Sequence, residues 1–167
     1  YGAIESNGLA WRTAAPPFTS GGSMDSKRFA AGTVVGGVVL WATGWLIFSK
    51  LFGGFYAANV GSATGVDRDA QILWATILGN AFYAALIVYA LLRRHGVASV
   101  AQGAMVGAIV GCLAWAQADF VLYADLNIAN LTRTIVDPLL EIIHGGIGGA
   151  AIAFVVKRMG GSDIALR

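Results

Sequence analysis

Four apolar runs, each close to the length of a membrane-spanning helix, constrain the fold of this sequence more than any other feature. The runs cover residues 29–49, 72–92, 97–123 and 135–156. A helix of about 20 apolar residues crosses the ~30 Å hydrocarbon core of a bilayer. The runs are apolar all round, whereas the strands of a membrane barrel alternate polar and apolar residues. The sequence therefore predicts an all-α integral membrane protein with four transmembrane helices.

Composition and charge agree with this class and exclude others. Hydrophobic residues make up 57% of the chain and charged residues 12%, against about 25% in soluble domains. The net charge of +2 is spread over small clusters beside the apolar runs, so we expect no nucleic acid as a partner. Cys112 is the single cysteine and lies inside an apolar run, which excludes an internal disulfide and a cysteine-based zinc site.

Basic residues near the ends of the apolar runs predict the orientation in the membrane. If successive runs cross in alternating directions, three basic pairs fall on one side: Lys27 and Arg28, Arg93 and Arg94, and Lys157 and Arg158. The positive-inside rule then places both termini in the cytoplasm. We expect an up-down bundle, N-in and C-in, and the Ala- and Gly-rich composition is typical of a protein of the bacterial inner membrane.

The N-terminal residues differ in composition from the rest. Residues 1–23 contain two prolines, several glycines and isolated aromatics without helical periodicity, which predicts an irregular arm without a core of its own. The arm is interpreted as an upstream extension or a fusion, because Met24 reads like a natural start. If the arm is ordered it needs a partner chain, and Trp11 and Phe18 are the expected contacts. The predicted divisions are the arm (1–23), a four-helix transmembrane domain (24–158) and a short polar tail (159–167).

Glycines recur at four-residue steps in three of the apolar runs. Two overlapping GxxxG motifs occur in the third run, and the fourth run contains GGIGG. Small residues let membrane helices approach closely, so these positions predict helix packing within the chain or between copies. A groove for a flat ligand or a lipid is the alternative interpretation. The predicted helix-packing glycines are Gly32, Gly36, Gly103, Gly107, Gly111, Gly145 and Gly149.

Polar side chains inside the apolar runs are candidate functional residues, because a charged group is costly to insert into a bilayer. Asn80 lies near the middle of the second run, where an interhelical hydrogen bond is the structural interpretation. Asp119 lies late in the third run, near the outer surface. We expect Asp119 to pair with Arg133 or the fourth helix, or to stay hydrated, and a catalytic acid is the alternative.

The stretch IVDPLLEIIHGGIGG, residues 135–149, places Asp137, Glu141 and His144 on one helical face. Asp followed by Pro is a signal for a helix start, since Asp is favoured at the N-cap and Pro at the first helical position. We therefore predict that the last helix begins at Pro138, with Asp137 as its cap. Glu141 then falls in or near the first turn, where the helix dipole favours an anion.

His144 follows Glu141 by three residues and precedes glycines that would clear space beside the imidazole. The main interpretation is a hydrogen-bonded Glu141–His144 pair that ties the last helix to its neighbours, through Asp119 or Asn80. The alternatives are cofactor binding, with a tetrapyrrole ligated by His144 beside Glu141, and a mononuclear metal held by Asp119, Glu141 and His144. A di-iron site within one chain is excluded because too few glutamates are present. We expect no bound cofactor.

Residues 27–158 resemble the small four-helix bacterial membrane proteins grouped as domain of unknown function 1761. The resemblance lies in three stretches: GWLIFSKLFGGFY at the exit from the first helix, HGVASVAQGAMVGAIVG entering the third, and VDPLLEIIHGGIGGAAIA in the fourth. It implies a four-helix membrane fold. That family has no established activity, so the resemblance implies no substrate and no catalytic residue.

The sequence contains no Walker loop, GxSxG or HExxH motif, so an enzyme is the least favoured of the functional classes. Two hypotheses for its function follow. The first is an accessory or structural subunit, in which glycine-rich helix faces pack against a larger membrane complex or a second copy. The second is a binding or transport protein, in which an outward-facing polar cavity holds a tetrapyrrole, metal, proton or small solute. The residues predicted to line that cavity are Asn80, Asp119, Glu141 and His144.

Overall fold

Most of the described part of the chain is helical. The computed structural model describes residues 25–66, 68, 70–93 and 99–161. Trp11, Phe18 and the rest of the predicted arm lie outside these residues. The helices are α1 (Ser26–Gly44), α2 (Gly53–Ala58), α3 (Leu73–Leu92), α4 (Val100–Asp125) and α5 (Leu131–Gly161), and a π-helical segment (Trp45–Leu51) continues α1.

Four helical stretches are long and apolar enough to cross a membrane: Ser26–Leu51, Leu73–Leu92, Val100–Asp125 and Leu131–Gly160. The prediction of an all-helical chain with four such helices is confirmed. Within the described ranges the one β-type contact is an isolated bridge between Val60 and Ala129. Large apolar side chains such as Trp74 and Phe82 are exposed, which suits surfaces that face lipid.

The start of α5 differs from the sequence prediction. This helix begins at Leu131, and Pro138 lies inside it. Asn130 is the capping residue, since its side-chain oxygen accepts a hydrogen bond from the Arg133 backbone N–H at 3.0 Å. The prediction that Asp137 caps a helix starting at Pro138 is therefore wrong.

The Asp-Pro signal depends only on adjacent residues, so it does not show that the residues before Asp137 already form helix. A proline inside a helix lacks the N–H that would bond the Thr134 carbonyl. Membrane helices tolerate such a proline when other groups satisfy the freed backbone. Because α5 starts at Leu131, Glu141 lies well beyond the first turn. The predicted stabilisation of Glu141 by the helix N-terminus is therefore wrong as well.

Replacing Asn130 tests the observed start of α5. Asn130→Ala removes the cap and the 3.0 Å bond from its amide to the Asn59 side-chain oxygen, so we expect the free energy of unfolding to fall by about 1–3 kcal/mol. Asn130→Ser keeps a capping oxygen and loses the bond to Asn59, and it should recover roughly half of that loss. Reversible unfolding in mixed detergent micelles measures both. Equal losses in the two variants would argue against a capping role.

The most extensive helix contact joins α4 to α5, and glycines make it possible. Gly103 and Gly107 on α4 face Gly149 and Gly145 on α5, and a Cβ added at Gly107 would overlap the Gly145 carbonyl. Residue numbers rise along α4 while they fall along α5, so the two helices run antiparallel at this contact. Backbones approach this closely only where the Cβ atoms are missing. Gly111, the last predicted glycine of α4, is also buried and faces the Glu141 carbonyl.

The first helix packs on both α3 and α5. Gly32 and Gly36, its predicted packing glycines, are buried, and a Cβ at Gly36 would overlap the Ile152 side chain of α5. Farther along α1, the Leu40 side chain fills the space over Gly148. The helices enclose a core of buried aliphatic side chains: Leu40, Ala84, Ile87, Val88, Leu91, Val106, Ile152 and Val156.

Hydrogen bonds join the connection after α2 to the connection between α4 and α5. The Asn130 backbone N–H donates to the Asn59 carbonyl at 3.2 Å, and the Ala63 N–H donates to the Asn127 carbonyl at 2.9 Å. These bonds hold α2 beside the start of α5. As a result Tyr56 of α2 lies next to α5. The sequence analysis missed α2, whose six residues are too few to show helical periodicity.

Candidate binding cavity

A cavity of ≈ 710 Å³ lies at the end of the helices where α2 and the α4–α5 connection are found. The end of α1, its π-helical continuation, the first half of α3 and the first half of α5 form most of its walls. Small-molecule sites typically measure ~300–1,000 Å³. The lining combines aromatic with polar and charged side chains, among them Trp41, Trp45, Phe48, Tyr56, Asn80, Trp115, Arg133, Asp137, Glu141 and His144.

The π-helical segment forms one wall of this cavity. Its wide turn includes a bond that spans five residues, from the Phe52 N–H to the Ile47 carbonyl at 2.9 Å. Turns of this kind occur frequently at functional sites. Here the segment contributes Trp45 and Phe48 to the lining, and Phe48 contacts the His144 ring edge-on, with ring centroids 5.3 Å apart.

Glu141 and His144 form a buried hydrogen-bonded pair on the cavity wall. His144 Nδ1 lies 2.9 Å from Glu141 Oε2, and the Tyr83 hydroxyl of α3 donates to the same oxygen at 3.1 Å. Across the ring, His144 Nε2 lies 2.9 Å from the Leu40 carbonyl oxygen of α1. Glu141 is 2% exposed and His144 4%. The pair therefore links α5 to both α1 and α3.

The Leu40 carbonyl determines where the protons of this pair lie. A carbonyl oxygen only accepts, so His144 Nε2 carries a proton and donates it. The bond between Nδ1 and Glu141 Oε2 then holds one further proton, on either the imidazole or the carboxyl group. In both cases the net charge of the pair is zero. This arrangement avoids the cost of an isolated charge in a buried position.

Space for the imidazole comes from Gly44 on α1. A Cβ at this position would lie 3.3 Å from His144 Nε2, which is tighter than ordinary contact. The glycines that follow His144 serve other contacts, because Gly145 faces Gly107 on α4 and Gly148 faces α1. The prediction that these glycines clear space beside the imidazole stays a prediction.

Arg133, Tyr56 and Asp137 form a second polar group in the cavity. The Arg133 guanidinium carbon lies 5.0 Å from the centroid of the Tyr56 ring, and the Tyr56 hydroxyl donates to Asp137 Oδ1. Arg133 and Asp137 share a face of α5, since they are four residues apart. In the described part of the chain, neither forms an ion pair with the other or with a third residue. Tyr56 thus contacts two opposite charges.

Comparison with known proteins assigns no function to the chain, so a function has to be inferred from the cavity. The chain matches no protein-family model, no curated protein and no solved structure. The resemblance to domain of unknown function 1761 stays a prediction.

Three of the four predicted cluster residues meet at the cavity. Asn80, Glu141 and His144 line it, and the predicted contact between Glu141 and His144 is present. The Asn80 amide donates to the Thr76 carbonyl of its own helix at 2.9 Å. Among the described residues, the partners of the Glu141–His144 pair on other helices are the Leu40 carbonyl and the Tyr83 hydroxyl, and Asn80 is not one of them.

Asp119, the fourth predicted member, does not line the cavity. The predicted pair with Arg133 does not form as an ion pair within the described residues, although the Arg133 charge acts on the Asp119 carboxyl group from a greater distance. Its Oδ2 atom is buried and has no hydrogen-bond partner in that part of the chain. Asp119 therefore contributes charge near the site without contacting the space inside it.

The arrangement does not favour ligation of a metal or a tetrapyrrole by His144. Both ring nitrogens bond to protein groups, so neither offers a free lone pair. Across the residues that the structure describes, no three His, Cys, Asp or Glu side chains form a group that could hold a metal ion. The predicted metal candidates Asp119, Glu141 and His144 are thus not brought together as a ligand set.

Sequence analysis missed several residues that complete the site. Tyr83 follows Asn80 by three residues on the same helix face, so a hydroxyl group inside an apolar run was the available signal. Tyr56 belongs to α2, the short helix that the sequence analysis also missed. The Leu40 carbonyl and Gly44 gave no signal, because their roles depend on contacts with His144, which lies 104 residues after Leu40.

Proposed function

We propose that the protein binds or transports a small solute in the membrane, and that the cavity is its binding site. One observation carries the proposal: a cavity of ≈ 710 Å³, among helices long enough to span a bilayer, has charged and hydrogen-bonding side chains on its walls. Such side chains are costly inside a bilayer and commonly mark substrate or ion pathways. The proposal includes no catalytic step.

The proposal includes an up-down bundle in a bacterial inner membrane, with both termini in the cytoplasm and the cavity open to the outside. Arg28 at the start of α1 lies beside Gly160 near the end of α5, at the end opposite the cavity. Basic residues concentrate at the cytoplasmic ends of membrane helices. Those that support this orientation are Lys27, Arg28, Arg93, Lys157 and Arg158.

The accessory-subunit hypothesis is the other proposal, and the geometry supports it less. It used the glycine-rich faces as an interface, whereas Gly103, Gly107 and Gly149 are buried between α4 and α5. A partner subunit or a second copy would have to bind elsewhere. Purification in mild detergent tests this hypothesis. A defined partner chain or a stable homo-oligomer would support it, and a monomer that binds solute would favour the cavity.

Cysteine labelling tests whether the cavity is open to water on the outer side. In a Cys112→Ala background, Asn80→Cys places a thiol on the cavity wall. Phe82→Cys is the matched control on the lipid-facing side of the same helix, where Phe82 is 68% exposed. We expect a membrane-impermeant maleimide to modify the Asn80→Cys thiol roughly tenfold faster or more, because the reactive thiolate forms in water.

Labelling in vesicles of known orientation tests separately whether the cavity is filled with water and on which side of the membrane it opens. Labelling in right-side-out vesicles supports a cavity that opens outward. Labelling confined to inverted vesicles would reverse the proposed orientation and retain the cavity. Absence of labelling in both, with denatured protein as the positive control for thiol reactivity, would contradict a water-filled binding site.

A further inference from the structure

Arg133 and Asp137 line the same cavity from one face of α5, yet they do not pair with each other. Side chains four residues apart on a helix are close enough to do so. Tyr56 contacts both instead, with its ring 5.0 Å from the Arg133 guanidinium carbon and its hydroxyl bonded to Asp137 Oδ1. The neutral Tyr56 side chain of α2 therefore contacts both charged groups, and the two charged groups do not contact each other.

Glu141, the third charged residue of the described lining, adds no net charge to the opposite charges of Arg133 and Asp137. Glu141 shares a proton with His144, and the pair as a whole is neutral. Both nitrogens of the imidazole already bond to protein atoms, which leaves the ring few bonds to offer a ligand. Within the described lining, the charges left for recognition are the cation of Arg133 and the anion of Asp137.

A ligand with a single charge would meet one of these groups favourably and the other unfavourably. A cation bound to Asp137 would face the Arg133 guanidinium, and an anion bound to Arg133 would face the Asp137 carboxylate. Where a bound ligand displaces the water between the charges, such like-charge contacts are unfavourable. A ligand that carries both an ammonium and a carboxylate group satisfies both residues and adds no net charge to the cavity.

We propose that the ligand is a small zwitterion of the amino-acid type with an aromatic side group, an assignment that rests on the binding function proposed above. Its carboxylate binds the Arg133 guanidinium, whose fork of donors suits a carboxylate, and its ammonium binds the Asp137 carboxylate. The Tyr56 hydroxyl leaves Asp137 as the ligand enters. The side group lies against the aromatic walls formed by Trp41, Trp45, Phe48 and Trp115.

Three probes with the same ring and a matching carbon chain test the charge requirement. L-phenylalanine carries both charges, phenethylamine lacks the carboxylate, and hydrocinnamate lacks the ammonium. Binding to the purified full chain in lipid nanodiscs is measured by isothermal titration calorimetry, with the fluorescence of the cavity tryptophans as a second readout. We expect saturable binding of phenylalanine, and roughly tenfold weaker binding or less for each single-charge analogue.

Two charge-removing variants locate the site and reverse the preference. Arg133→Gln should weaken phenylalanine binding roughly tenfold or more and strengthen phenethylamine binding, because the like charge is gone. Asp137→Asn should weaken phenylalanine binding by a similar factor and strengthen hydrocinnamate binding. It retains an oxygen that accepts the Tyr56 hydroxyl. Arg93→Gln, at an exposed arginine where α3 ends, is the control and should bind phenylalanine as the wild type does.

A zwitterionic lipid headgroup carries the same combination of charges as an amino acid. Glycerophosphoethanolamine, used as a competitor, distinguishes the two sources. If this compound displaces phenylalanine at lower concentrations than unlabelled phenylalanine does, the ligand is still a zwitterion, and its source is the lipid headgroup. Failure to compete would name the free amino acid.

The assignment is overturned if either analogue binds as tightly as phenylalanine, or if both cavity variants bind phenylalanine as the wild type does. If no probe binds while the Asn80→Cys thiol is labelled from outside, the zwitterion assignment fails and the proposed cavity stands. If that thiol also resists labelling in both vesicle orientations, the proposed function fails with it. Circular dichroism and the melting temperature of each variant show that lost binding does not reflect unfolding.

Discussion

Replacing Gly107 by alanine is expected to lower the free energy of unfolding by about 3 kcal/mol, because the backbones of α4 and α5 touch at this point. A Cβ on Gly107 would overlap the Gly145 carbonyl oxygen, and a Cβ on Gly145 would overlap the Gly107 carbonyl. A backbone carbonyl cannot rotate aside as a flexible side chain does, so the two helices must separate. Their separation weakens dispersion contacts along the most extensive helix pair of the molecule.

Two other glycines provide matched controls for this replacement. A Cβ at Gly146 would lie 3.6 Å from the Ala104 carbonyl oxygen, which is an ordinary contact, and a Cβ at Gly79 would meet no atom within 4 Å. Gly146→Ala and Gly79→Ala should each unfold within about 0.5 kcal/mol of the wild type. Reversible unfolding in micelles of a mild detergent and dodecyl sulfate gives the comparison. Equal stability of Gly107→Ala and Gly146→Ala would contradict the close α4–α5 contact.

Hydropathy sufficed to predict the four spans, because a bilayer imposes length and apolarity on each helix separately. The second apolar run ends at Leu92, as α3 does, and starts one residue earlier. Glycine spacing indicated which positions of α4 and α5 pack closely, although it did not indicate that these two helices contact each other. Close contact between two helix backbones is favoured by glycine, because glycine lacks a Cβ atom. The glycine is visible in the sequence even when the partner helix is unknown.

The rest of the site depends on contacts that a single sequence does not encode locally. Asp137 and Pro138 form a valid helix start in isolation, but Asn130 provides the observed cap and the helix continues through the proline. The spacing of Glu141 and His144 indicated their mutual contact. Nothing in the sequence pointed to the Leu40 carbonyl, because every residue has a carbonyl and only the packing of α1 on α5 selects this one.

Removing either member of the Glu141–His144 pair is expected to lower the free energy of unfolding by about 3–5 kcal/mol. Glu141→Ala leaves His144 Nδ1 and the Tyr83 hydroxyl without the oxygen to which both are bonded. His144→Ala removes the bond to the Leu40 carbonyl and leaves the Glu141 carboxyl group beside an empty space. In both variants the remaining polar group is almost fully buried, so water can compensate the lost bond only if the helices loosen.

The two losses should not add in the double variant Glu141→Ala/His144→Ala. Each single replacement strands a polar partner, and the second replacement removes the stranded group. We therefore expect the double variant to unfold within about 1 kcal/mol of the less stable single variant. Additive losses in this cycle would indicate that Glu141 and His144 stabilise the fold through separate contacts.

Glu141→Gln separates hydrogen bonding from charge in the same pair. With its amide nitrogen at the position of Oε2, glutamine can donate one N–H to Nδ1 of a neutral imidazole, whose Nε2–H still bonds to the Leu40 carbonyl, and the other N–H to the Tyr83 hydroxyl oxygen. Because each bond has a replacement, this variant should lose only about 1 kcal/mol. Asp125→Asn, at an exposed acid where α4 ends, should change stability by less than about 0.5 kcal/mol. If Glu141→Gln were as unstable as Glu141→Ala, an ionised carboxylate would be required, and a pair held by hydrogen bonds alone would be ruled out.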